Sequence, residues 1–253
     1  MSGLLLIIDP QNDFVSPKGS LSVGGAVEDM GRLCGFIDKA ELEHILITLD
    51  THHPVHIATP DYWVGAAGEH PAPFAGITTA DVSSGKWRPL YHKDSALAYL
   101  KALEEKGKNH TIWPHHCLYG TEGWAVYPKL YDTVYNWSRK HNKTFTLYTK
   151  GENSENTEMF SVVKPEVSLE GKDAKRAEHF LSLLMSYDKI YVAGEAENFC
   201  VKESVYDIVT LRPELTKKLV ILRNCMSSIP VPGLDMDAFW GELEVRGAKI
   251  SAV

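Results

Sequence analysis

The chain has no cluster of positive charge. Its 26 lysines and arginines are outnumbered by 33 acidic residues, giving a formal net charge of −7, and nowhere do they gather into a run. This argues against a polyanion-binding surface, and nucleic acid is not an expected partner. Long hydrophobic runs are missing as well. The opening "MSGLLLIIDP" has five consecutive large apolar residues and no basic segment before them, so neither a signal peptide nor a membrane span is expected. Cysteine is scarce: Cys34, Cys117, Cys200 and Cys225 stand far apart without a CxxC pair. That argues against a disulfide framework and fits reduced thiols in a cytoplasm. There is no Ser/Gly-rich linker, internal repeat or low-complexity segment, so residues 1–253, with 44% hydrophobic content, are read as one domain with a sizeable core.

What the sequence does contain is alternation. Short β-rich runs at 4–8, 44–49, 144–149, 189–194, 219–223 and 248–253 are separated by helical patterns near 26–41, 95–106, 173–187, 200–211 and 235–246. Near-continuous apolar strands separated by helices indicate strands buried on both faces. The expected fold is α/β, a doubly wound, six-stranded, mainly parallel sheet flanked by helices on both faces. One region breaks the pattern: the Pro and Gly content of 57–92 forbids a long regular element and marks a loop-rich insertion at about 57–112.

Ligands of such sheets bind outside the carboxyl ends of the strands. Four strand ends carry reactive groups: Asp9, Asp50, Lys150 and, after the fourth strand, "GEAENFC" with Cys200 opening the next helix. Each has an ordinary explanation. A carboxylate after a strand is commonly a cap or turn residue, a cysteine is commonly a small buried hydrophobe, and Asp9 with Lys150 could be a salt bridge. Their convergence on one rim favours chemistry. A thiol at a helix N-terminus beside an ammonium would be held as a thiolate near neutrality, with Asp9 moving the proton. That arrangement suits acyl transfer through a thioester, with backbone N–H groups at the turn receiving the oxyanion.

The ordered set "IIDPQNDF" (7–14), "GSLSVGGA" (19–26), "DTHHPVH" (50–56), "WPHHC" (113–117), "YTKG" (148–151) and "GEAENFCV" (194–201) resembles the motifs of nicotinamidases, within the isochorismatase-like cysteine hydrolases, over nearly the whole chain. The resemblance implies a catalytic triad of Asp9, Lys150 and Cys200, with an oxyanion hole at the Ala196 and Cys200 backbone shaped by a cis peptide before Ala196. It implies one divalent metal, zinc first with iron or manganese as alternatives, on Asp50, His52 and His116, and His56 as a further ligand. His53 and His115 become bystanders. A donor set of imidazole and carboxylate points to zinc, iron or manganese in such a site rather than to a thiolate-rich structural zinc. Phe14 and Trp113 would pack on the substrate ring, their ordinary role being core aromatics. The implied reaction is hydrolysis of nicotinamide, or a close aromatic amide, to the acid and ammonia. The implied partner is a small-molecule amide, in a possible homo-oligomer.

The chain departs from the pattern at Thr51, where an aromatic residue is common, at Glu195, where an apolar one is usual, and in the length of the insertion. Two alternatives therefore stand beside the leading one. One is hydrolysis of another amide or a ureido compound. The other is a catalytically silent metal-binding or interaction protein on the same fold.

Overall fold

The computed structural model describes residues 2–152, 157–168, 173–231 and 233–253. Six strands form its main sheet: β1 (Gly3–Ile8), β2 (His44–Asp50), β3 (Phe145–Lys150), β4 (Lys189–Gly194), β5 (Leu219–Leu222) and β6 (Lys249–Ser251). The order is β6-β5-β4-β1-β2-β3 and every pairing is parallel. Each of the six apolar runs in the sequence becomes one strand.

Parallel strands require crossovers, and crossovers cover both faces of a sheet. β1 is accordingly buried at all six positions. Its Leu4, Leu6 and Ile8 join one core, under α4 (Asp173–Met185), α5 (Lys202–Leu211) and α6 (Met236–Val245). Leu5 and Ile7 join the opposite core, under α1 (Ala26–Lys39) and α3 (Pro128–His141). In α1 the spacing of Met30, Leu33 and Ile37 makes the buried stripe, while Glu28 and Asp29 near its start and Lys39 at its end complement the helix dipole.

Helix α3 is absent from the sequence reading. Its buried stripe is thin, just Leu130, Val134 and Trp137, and the half-exposed Tyr131 and Tyr135 beside it blur the periodicity. The end signals are better: Pro128 opens the helix, Arg139, Lys140 and His141 fill the last turn, and Asn142 closes it with φ 52°.

Residues 57–112 build most of a third, smaller core, from Ile57, Trp63, Tyr99, Leu100, Leu103 and Ile112, largely under α2 (Lys93–Glu105). Between 57 and 92 the longest regular element is the five-residue helix Thr79–Ser83, as the Pro and Gly content requires. Two antiparallel ribbons, Trp63–Val64 with Arg88–Pro89 and Gly76–Ile77 with His110–Thr111, close the loops back on themselves.

At the carboxyl edge β1 and β4 run very close. Gly194 adopts φ 124°, and a Cβ there would sit 2.0 Å from the Ile8 carbonyl oxygen. A glycine is what lets the chain leave β4 and turn over the end of β1.

Candidate active site

Neighbouring strands β4, β1, β2 and β3 bring the turn containing Cys200, then Asp9, Asp50 and Lys150, to one edge. Lys150 lies at the centre, fully buried. Its ammonium is 2.9 Å from Asp50 Oδ1, 3.0 Å from Asp9 Oδ2, 3.1 Å from the Met159 carbonyl and 3.5 Å from Cys200 Sγ. Burial works against that charge, but the Asp50 and Asp9 carboxylates outweigh it and hold the lysine well above its ordinary pKa.

Asp9 follows β1 in a left-handed conformation, φ 45°, one that Asp tolerates better than most side chains. Thr48 fixes it at both ends. The Asp9 N–H donates to Thr48 Oγ1 at 3.0 Å, and that hydroxyl donates to Asp9 Oδ1 at 2.5 Å. Burial raises the Asp9 carboxyl above its ordinary pKa despite the opposing pull of Lys150, which suits a group that must accept and return a proton.

Cys200 sits in one wide helical turn, Glu197–Val201, that leads into α5. The sequence expectation of a resting thiolate is corrected here. Burial drives the thiol well above its ordinary pKa, and Asp9 and Asp50 add to this against Lys150, so the resting group is S–H. A neutral thiol with a carboxylate at hand to take its proton is a nucleophile that ionises as it attacks. The Glu195–Ala196 peptide is cis. Among the described residues, the Ala196 N–H has no acceptor.

Asp50 turns its second oxygen the other way. Oδ2 lies 3.0 Å from His52 Nε2 and 3.4 Å from His116 Nε2, and His52 and His116 stack edge to face at 4.7 Å. His116 Nδ1–H donates to the Pro114 carbonyl at 2.7 Å, which leaves the Nε2 lone pair facing Asp50. Burial opposes charge on both rings. For His116 the Asp50 carboxylate outweighs that opposition and raises the pKa, whereas His52 stays lowered. With His52 and His116 facing its other oxygen and Lys150 beside it, Asp50 is held well below the usual carboxylate range in spite of its burial.

Asp50, His52 and His116 can each offer a ligand atom within 4.8 Å of the others, and so can His52, His56 and Glu158. His52 Nδ1, His56 Nε2 and a Glu158 oxygen are buried with no hydrogen-bond partner in the protein, as an imidazole and carboxylate set built around a cation would be. His56 differs from the other rings. Its Nδ1 accepts the Ala58 N–H at 3.1 Å, so its ring proton belongs on Nε2, and serving a cation there would mean giving up that bond. His53 is exposed against Tyr119, and His115 pairs with Asp61 at 3.1 Å, both away from the cluster.

These groups open on a small pocket whose lining includes Phe14, Trp113, Phe160, Phe199 and Ile229 together with Asp50, His116, Glu158, Ala196 and Cys200. Phe14 packs edge-on to His116 at 5.5 Å, and Trp113 meets Phe199 at 5.2 Å. A wider, open pocket adjoins it across the shared Trp113, Phe160 and Phe199 rings, walled partly by Tyr99, Leu103 and Lys108.

Several further residues complete the site. Gln11 clamps Asp50: its Oε1 accepts the Asp50 N–H and its Nε2 donates to the Asp50 carbonyl, both at 2.7 Å. Thr48 was findable, because a residue two before Asp50 on a strand shares its face. Glu158 lies in an irregular segment with no periodicity to reveal it. Burial, with Asp50 nearby, pushes its carboxyl up to about 8. Thr51 has a specific partner, since its hydroxyl accepts the Trp124 indole N–H at 2.9 Å.

No family model matches the chain. The nicotinamidase of Saccharomyces cerevisiae is 23% identical over 209 residues, 82% of this chain and 81% of the yeast protein. The structure of the yeast nicotinamidase bound to the inhibitor nicotinaldehyde superposes with a TM-score of 0.68 at 20% identity, covering all of both chains. An Acinetobacter baumanii nicotinamidase and pyrazinamidase gives 0.63 at 20% identity over 99% of this chain and 96% of that one. The pyrazinamidase of Pyrococcus horikoshii in complex with zinc gives 0.56 at 18% over all of both chains. The fold is the one these enzymes share.

Proposed function

We propose that the protein is a metal-dependent cysteine amidohydrolase that converts nicotinamide to nicotinate and ammonia. One observation carries the reading: a buried ammonium, Lys150 Nζ, within 3.0 Å of Asp9 and 3.5 Å of the Cys200 thiol, beneath an aromatic-walled cavity. Such a trio costs stability to bury and has no structural need of a thiol.

In this mechanism Asp9 takes the Cys200 proton as sulfur attacks the carboxamide carbon. The developing oxyanion is received by the Ala196 and Cys200 N–H groups. Asp9 then gives its proton to the leaving nitrogen, ammonia departs, and a thioester remains. Water attacks the thioester with Asp9 again as base, and the carboxylic acid leaves as the thiol is restored. Lys150 keeps Asp9 ionised at the start of each half. Phe14 and Trp113 pack on the ring. Asp50, His52 and His116 fit a divalent cation, zinc first, with Glu158 and His56 beside them. When bound, that cation supplies a Lewis acid to which a pyridine nitrogen can be directed.

The experiment compares ammonia release from nicotinamide and benzamide, with and without chelator. A site built around a polar contact rejects the analogue lacking it by as much as ~10⁴, so nicotinamide should be strongly preferred and chelation should hurt it more. Comparable, chelator-insensitive rates would sink this substrate while sparing the thioester chemistry. The adjoining open pocket, which shares the Trp113, Phe160 and Phe199 rings, favours one second reading, hydrolysis of a bulkier amide. Faster turnover of a ring-extended amide than of nicotinamide would establish it. Four free, buried thiols support a reducing compartment such as the cytoplasm. Among the described residues, no helix is long and apolar enough to cross a membrane.

A further inference from the structure

We propose that Glu195 is a positioning residue: as a neutral acid it shares a proton with Asp29 of α1 beneath the turn 195–198, and this acid pair fixes the Ala196 and Cys200 N–H groups where the amide oxygen develops charge. The role rests on the thioester reading above; the acid pair itself does not.

Both carboxyls are buried, Glu195 at 0% and Asp29 at 1% exposure. They meet at Ser227. Its N–H donates to Glu195 Oε2 at 3.2 Å, its hydroxyl donates to Asp29 Oδ2 at 2.5 Å, and its carbonyl accepts the Glu197 N–H at 2.8 Å. Ser227, in the segment that follows β5, thus ties the oxyanion turn to both acids. The charge inventory then requires a proton. Arg32 pairs with Asp29 at 2.6 Å, and no second cation faces the pair among the described residues, because Arg223 is committed to Glu197 and Asp237. The other groups nearby are Glu197, itself an acid, and the buried thiols Cys225 and Cys34, of which Cys225 is pushed up to about 12 by burial and by Asp29. Two acids served by one guanidinium cannot both stay ionised in a dry site. Glu195 Oε1 receives no hydrogen from the described residues, as expected of a carboxyl that carries its own. Burial first, and Asp29 next, hold Glu195 well above its ordinary pKa. An apolar side chain would fill the same space but could not bond to Asp29.

The test measures ammonia release and thermal unfolding for the wild type, Glu195→Gln, Glu195→Ala and Asp29→Asn. Losing an oxyanion donor outright costs about 10²–10³ in kcat. Glu195→Ala, which loosens the turn, should lower kcat by roughly tenfold or more with KM within about twofold. Glu195→Gln, whose amide can still donate to Asp29, should recover most of that loss. The second readout needs no turnover. Folded Glu195 keeps a proton that the unfolded chain releases above its ordinary pKa of 4.5, so the wild type loses stability relative to Glu195→Gln as pH rises. The Tm difference should move in favour of the glutamine variant by roughly 5 °C or more between pH 5 and pH 8. Asp29→Asn removes the like charge and should flatten the same slope, which keeps the test alive if Glu195→Ala does not fold. A pH-independent difference would overturn the acid pair. Wild-type kcat in Glu195→Ala, or equal damage in Gln and Ala, would overturn the positioning role. A wild type that releases no ammonia from any amide would sink the thioester reading and with it the positioning role, while the Tm comparison would still decide the acid pair.

Discussion

Replacing Lys150 with methionine removes the ammonium that faces both Asp9 and Asp50 while nearly preserving length and shape. Two acceptors lose their donor, Asp50 Oδ1 at 2.9 Å and the Met159 carbonyl at 3.1 Å, and Asp9 Oδ2 loses the ammonium it pairs with at 3.0 Å. Breaking a buried pair by removing one partner costs about 3–5 kcal/mol. The site has one escape, which is to protonate Asp9. That costs about 1.4 kcal/mol per pH unit above its ordinary value of 3.8, hence about 6 kcal/mol near pH 8 but about 2 kcal/mol near pH 5. The smaller cost wins at each pH. The destabilisation should therefore be about 3–5 kcal/mol near pH 8 and about 2 kcal/mol near pH 5. The sign follows from proton linkage: the folded variant holds a proton on Asp9 that the unfolded chain releases above about pH 4, so its stability falls as pH rises. Urea unfolding in the presence of chelator measures it, with Lys150→Met/Asp9→Asn completing a double-mutant cycle. In the methionine background, Asp9→Asn should recover stability near pH 8. A variant within about 1 kcal/mol of wild type at both pH values, or a gap that widens in acid, would refute the claim that Lys150 neutralises the two acids.

Cys200→Ala should reduce amide hydrolysis by as much as ~10⁶ with the fold retained, because catalytic groups acting as a unit fail together. Alanine at Cys34, Cys117 or Cys225 should leave turnover largely intact. All four thiols are buried, so alkylation should be slow throughout, and substrate should protect Cys200 alone. His52→Ala and His116→Ala should each lower divalent-metal content by elemental analysis, and the exposed His53→Ala should not; equal content in all three would remove the ligand assignment. His110 donates to the Ile57 carbonyl at 3.0 Å, and burial lowers its pKa from 6.5 to about 4. The folded protein keeps this ring neutral while the unfolded chain protonates it, so about 3 kcal/mol of stability present above pH 6.5 is lost as pH falls to 4. His110→Gln should flatten that part of the stability profile, and an unchanged acid slope would contradict it.

Much of the fold was legible because strands buried on both faces must be nearly pure apolar runs, and β1, β2 and β4 are. Helix α3 was not, because two half-exposed tyrosines hid a three-residue stripe. The residues at the site that ride on strand ends could be placed by counting. Glu158, eight residues past Lys150 in an irregular segment, could not. The ionisation of Cys200 differs from the expectation for a different reason: the sequence showed the lysine and Asp9 beside it but not the burial, nor that Asp50 joins Asp9 in opposing that lysine. Electrostatic sign at a site depends on every charge within a few ångströms, and spacing along the chain supplies only some of them.

Strand order is the other thing the sequence withheld, and it explains why β3 ends in a lysine. The chain lays β2 and β3 on one side of β1 and then returns to place β4 on the other, a change of direction that opens the ligand crevice beside β1. With strands about 4.8 Å apart, the end of β3 lies roughly 14 Å from the end of β4 across the sheet. A short side chain on β3 could reach Asp50 on the adjacent strand, but not the neighbourhood of Cys200. Lysine spans the gap from one side, and the turn over Gly194 brings the thiol back from the other. Asp9 and Asp50, on the two strands between, then meet the same ammonium. Because Asp50 gives Oδ1 to Lys150 and Oδ2 to the histidines, the nucleophile and the imidazole cluster share one carboxylate. A substitution at Asp50 must therefore disturb both halves of the site together, while one at Asp9 or at His116 reaches the far half only through Asp50 and Lys150.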